Sequence, residues 1–218
     1  MDGEEWCLLG FDARELWCPR ARLFPAERVD RFLLRADVDK ILSADVMVWP
    51  TIVAHPDVGH LDLEDLDLGD LGIPVEGWPG GLQGLFASLP DLLELVSVSS
   101  VGPSRPFDIV AFTVQDHPQP ALGPTNPSRL DSGWQFRGYD VVDPWLVSGL
   151  SNCGYMDEER DHLRTRWASN LNRWHLVESL GEARLFCALS DARVPEHAPF
   201  LPCGIWILGA EEVTPRSR

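Results

Sequence analysis

Lysine is almost absent from this chain: Lys40 stands alone among 18 basic residues, and all the others are arginine. Bases of either kind are outnumbered by 34 acids, which leaves a net charge of −16. That balance excludes a general affinity for nucleic acid or for an anionic membrane surface, because both are held through surplus Lys and Arg. A partner selected by charge is therefore basic. The arginine bias itself reads as GC-rich bacterial coding.

Other absences narrow the field further. No apolar run approaches the roughly 18 residues of a membrane span, and the first residues, MDGEEWCLLGFDARELW, carry acids where a secretory signal needs positive charge. The expected compartment is the cytoplasm. Five cysteines, Cys7, Cys18, Cys153, Cys187 and Cys203, form an odd set without a CxxC pair, which argues for buried thiols over a disulfide framework or a zinc knuckle. GxGxxG, GxxxxGK(S/T), HExxH and GxSxG are all missing. No cofactor is expected, and no specific catalytic signature is present.

What the chain does have is material for a core: 44% apolar residues, with nine Trp and nine Phe. Its 218 residues are read as one α+β domain, with a mixed or antiparallel sheet and a helix-rich C-terminal part. Trp6–Phe11 reads as a strand. Val29, Phe32, Leu33 and Ala36 recur at helical spacing after Pro25 and predict a helix over about 26–36. Residues 46–53 read as an edge strand containing Pro50. Leu92–Ser99 and Phe107–Gln115 are two β-prone runs that together suggest a hairpin. Residues 116–133, with four prolines, form the expected internal loop. Trp134–Val142 then reads as a strand, and Asp143-Pro144 as the start of a short helix bearing Trp145, Leu146 and Leu150. A longer helix is predicted over about 157–174, with Leu163, Trp167, Leu171 and Trp174 on one stripe. Ala183–Leu189 fits helix or strand, and Gly204–Leu208 fits a last strand. Trp145, Trp167 and Trp174 are all expected in the core.

The acids are not spread evenly. Residues 41–104 contain ten acids and no base, so this stretch alone carries −10 of the −16. Within it Asp62, Glu64, Asp65, Asp67 and Asp70 cluster, with Trp78 close behind. Acids beside an exposed aromatic make a docking surface for an Arg/Lys-rich protein, the charges speeding encounter and the ring lengthening residence. The plain alternative is a solvated acidic loop.

Two further groups could carry chemistry. His55, Asp57 and His60 fall within one turn-forming segment and are donor types that bind a divalent ion, although a third or fourth ligand is not evident. Cys153 precedes a predicted helix, where a thiol pKa is lowered, and His197 in VPEHAPF or His117 offers a base, with Asn152 or Glu196 to orient it. The competing readings are surface histidines in an acidic loop and a small buried thiol.

The stretches RGYDVVDPWLVSGLSNCGY (137–155) and VPEHAPFLPCGIWIL (194–208) resemble segments of uncharacterised bacterial proteins of similar size, to which no activity attaches. In overall character the chain also resembles the immunity proteins that neutralise bacterial polymorphic toxins: small, acidic, motif-poor α+β domains. That resemblance implies a cytoplasmic inhibitor of a basic, secreted toxin domain and assigns no residue a role. The expectation is therefore a protein-binding module rather than an enzyme, with a hydrolase or transferase using Cys153/His197, or a metal at His55/Asp57/His60, as the alternative.

Overall fold

In the computed structural model the described residues are 6–14, 33–35, 42, 85–86, 88–98, 108–115, 130–151 and 157–209. They form strand β1 (Trp6–Arg14), helix α1 (Leu89–Val98), strands β2 (Asp108–Gln115) and β3 (Trp134–Val142), helix α2 (Asp157–Trp167), helix α3 (Leu180–Arg193) and strand β4 (Leu201–Leu208). The four strands make one sheet in the order β1-β2-β4-β3, every pair antiparallel. The chain is α+β. Among the described residues no helix is long and apolar enough to cross a membrane.

Strand composition explains the order. β2 reads DIVAFTVQ and is buried from Ile109 to Gln115, and β4 reads LPCGIWIL and is buried at all but two positions. Strands without polar alternation need cover on both faces, and the two middle places of the sheet supply it. One face gathers Leu9, Val110, Phe112, Val114, Ile205 and Ile207 with Leu85, Leu146 and Leu176. On the other, Phe11, Ala13, Ile109 and Ala111 pack with Leu92 of α1, while Val141 packs with Phe186 and Cys187 of α3 and Leu163 and Trp167 of α2.

Both outer strands are bulged at a glycine, and the reason is the same at each. Gly10 (φ 154°) lies at the register shift of β1, where Phe11 and Phe86 exchange two backbone hydrogen bonds of 2.8 Å. Gly138 (φ 140°) lies at that of β3, where Tyr139 and Val177 exchange bonds of 2.7 and 2.9 Å. A segment from elsewhere thus pairs with each edge, which covers polar groups that would otherwise invite a foreign strand.

Several local expectations need correction. Leu89–Val98 is a helix, so the hairpin expected from 92–99 and 107–115 does not form. Its leucines and valines suit either state, and packing of Leu92 beside Phe11 and Ala13 favours the helix. The predicted 157–174 helix stops at Trp167, continues as a 3₁₀ turn over Ala168–Asn170, and gives way to a hairpin in which Leu171 bridges Val177. Leu163, Trp167 and Leu171 are buried together as expected, whereas Trp174 is only partly buried and packs against a different cluster. Residues 33–35 are not helical, and the rest of the 26–36 segment, like 46–53, lies outside the described residues. The segment 180–193 resolves as helix. It is started by the N-cap Ser179, whose Oγ accepts from the Glu182 N–H at 3.2 Å and donates to the Glu182 carboxylate.

Leu33–Arg35 is held by a buried histidine. His175 Nε2 accepts the backbone N–H groups of Leu34 and Arg35 at 3.1 and 3.2 Å, Arg35 donates to the Leu171 carbonyl at 2.6 Å, and Arg164 donates to that of Leu33 at 3.0 Å. Accepting two N–H groups requires an unprotonated Nε2. Burial, followed by the charges of Arg160 and Arg35, lowers the His175 pKa to about 3.

Candidate functional site

Where β3 ends, the chain turns at Asp143, and one carboxylate organises the turn. Asp143 Oδ1 accepts the N–H groups of Trp145 and Val147, both at 2.8 Å, and Oδ2 accepts from His197 Nδ1 at 2.6 Å. Its side chain is fully buried. The expected helix over Asp143–Leu150 does not form, so Asp143 is no helix cap: its carboxylate organises a turn in which Leu146 sits at φ 63° and Gly149 N–H returns to the Val141 carbonyl at 2.6 Å, closing a tight loop. Leu146 and Leu150 are buried as expected. Trp145 is not; it is 53% exposed, because the loop points its ring away from the sheet where a helix would have turned it inward.

His197 comes from the turn after α3, where its N–H bonds to the Val194 carbonyl at 3.0 Å. Its ring stands edge-on to Trp145 with centroids 6.2 Å apart. Because the carboxylate faces Nδ1, the proton of the neutral ring stays on Nδ1 and the lone pair on Nε2. The ring is half-buried and Nε2 has no partner among the described residues. The result is an oriented imidazole beside an exposed indole on a rigid turn, able to accept a proton or a hydrogen bond from a bound molecule.

His197 was legible in the sequence as a candidate base, but its orienter was not. Glu196 is exposed, and the carboxylate that holds the ring belongs to Asp143, which lies 54 residues away and which local pattern presents only as a helix cap. Comparison with family models, curated proteins and solved structures returns no match. Asp62, Glu64, Asp65, Asp67, Asp70 and Trp78, the His55/Asp57/His60 group, His117, and Cys153 with Asn152 lie outside the described residues. Cys7, Cys187 and Cys203 are buried thiols, and burial followed by the charges of Asp191 and Asp140 pushes Cys187 up to about 12, so it is no nucleophile. Among the described residues no three His, Cys, Asp or Glu side chains group as a metal site.

Proposed function

We propose that this protein is an acidic protein-binding module, an immunity-type inhibitor that covers the basic active face of a bacterial toxin or effector domain in the cytoplasm. The observation that carries this reading is the charge segregation: ten acids and no base over residues 41–104. A localised field of one sign steers a basic partner to one face, which a charge spread for solubility does not do. Asp62, Glu64, Asp65, Asp67 and Asp70 supply the steering. Trp78 supplies apolar contact, and the exposed Trp145, held on a turn that loses little freedom on binding, is a second anchor.

The test is association with a basic toxin domain, to be sought in the neighbouring reading frame. Reversing the five clustered acids to Lys should slow association about tenfold at low salt and flatten its salt dependence. Trp145→Ala should leave the on-rate alone and raise the off-rate. If association ignores both the reversal and the salt, the reading is wrong.

One geometric observation favours a second reading, a small hydrolase or transferase: the 2.6 Å Asp143–His197 pair with an open Nε2. There His197 would deprotonate a nucleophile, with Cys153 the candidate. Iodoacetamide labelling of Cys153 near neutral pH should then fall about tenfold in His197→Gln and also fall in Asp143→Asn. Equal labelling in all three proteins removes the dyad from catalysis through Cys153. Metal analysis tests the His55/Asp57/His60 group in the same way.

A further inference from the structure

The acidic character of the chain makes one arginine-lined cleft conspicuous, at the far edge of the sheet on β3. The hairpin 171–177 docks there, and Asn172 fixes it: Nδ2 donates to the Arg137 carbonyl at 2.7 Å, while Oδ1 accepts the N–H groups of Trp174 and Leu176 at 2.8 and 3.2 Å. Trp174 is further held by its carbonyl, which accepts from Leu42 N–H at 3.1 Å, and by packing against the core. Two guanidinium groups stack on this fixed indole, Arg137 at 5.3 Å and Arg173 at 4.9 Å from the ring centroid.

Neither arginine meets a carboxylate among the described residues, although Arg164 and Arg193 pair with Asp161 and Glu159. Arg137 gives Nη2 to the Gln135 amide oxygen at 2.6 Å, and its buried Nε has no acceptor. The cleft has a volume of about 440 Å³ and is lined by Phe136, Arg137, Asn172, Arg173, Trp174 and Glu178. Phe136 is 38% exposed and offers an apolar wall.

We propose that this cleft binds a small aromatic carboxylate. The planar forks of Arg137 and Arg173 take the carboxylate oxygens, which guanidinium geometry suits, and the aromatic ring of the ligand lies against Phe136. Two arginines and Glu178 leave the lining at +1, which a monoanion balances and a dianion overshoots. This site is separate from the Asp143–His197 turn and does not depend on the protein-binding reading.

Calorimetric titration of the full chain with benzoate, its neutral isostere benzamide, acetate and phenyl phosphate tests the assignment. Benzoate should bind, with benzamide and acetate each at least about tenfold weaker. Arg173→Gln, at an exposed position that leaves the fold intact, should cost benzoate about tenfold or more, and Arg137→Lys, which keeps charge but loses the fork, should weaken it too. Arg166→Gln, removing a guanidinium stacked on Trp167 elsewhere, should change nothing. Equal binding of benzoate and benzamide, no binding of either, or an equal loss in Arg166→Gln would overturn the proposal. Tighter binding of phenyl phosphate than benzoate would overturn the choice of a monoanion.

Discussion

Acidification should remove up to about 5 kcal/mol of stability through His175 alone, in the window between its unfolded pKa of 6.5 and its folded value of about 3. The sign follows from which state binds the proton. In the native protein Nε2 is occupied by the N–H groups of Leu34 and Arg35, so the ring stays neutral, while the unfolded chain takes up a proton below pH 6.5. The stabilisation is fully present above 6.5, shrinks as pH falls, and stops shrinking near 3, where the native ring protonates as well. Other groups titrate over the same range, so the measurement is a difference. Urea unfolding of the wild type and of His175→Gln, whose amide oxygen can accept the same N–H groups but cannot titrate, is compared at neutral pH and at about pH 4. The variant should be the less stable protein at neutral pH and lose distinctly less on acidification. Parallel losses would show that His175 does not carry the dependence.

Gly138→Ala should cost about 3 kcal/mol, an unusual sum for one methyl group. A Cβ at this position would meet Leu176 Cβ at 2.8 Å and the Val177 carbonyl oxygen at 2.9 Å, and φ 140° is a conformation that L side chains rarely adopt. Both atoms belong to the hairpin that pairs with β3, so relief requires the hairpin to withdraw. Hydrogen exchange at the Tyr139 and Val177 amides, bonded at 2.7 and 2.9 Å, should accelerate ahead of exchange at the middle strands. Gly181→Ala is the control. Nothing lies within 4 Å of its added Cβ, it sits in the first turn of α3, and alanine there should stabilise by up to about 1 kcal/mol. If the two alanines cost the same, steric conflict at Gly138 is not the cause.

Local pattern was sufficient for some elements and misleading for others, and the difference is physical. Trp134–Val142 was read with the bounds it has, because its alternation of apolar and polar residues suits an edge strand with one wet half. The start of α2 was marked by its acids, and the last strand by its apolar run. Leu89–Val98 was misread because leucine and valine fit both periods over so short a length, and contact with β1 settles the matter. Trp145 was misread because one carboxylate bonding two N–H groups makes a turn from a sequence that also permits a helix.

Composition and short-range pattern by themselves determined that the chain is α+β, that it has a strongly acidic stretch without a base, and that Cys7, Cys187 and Cys203 would be buried thiols. These depend on residue counts and on neighbours within a few positions. Tertiary structure alone decided that β4 lies between β2 and β3, that glycines at two edges admit foreign segments, that Asp143 holds His197, and that Arg137 and Arg173 share the ring of Trp174. Each of these joins residues whose separation along the chain carries no periodic signal, and each is fixed by burial and hydrogen bonding that exist only once the sheet has formed.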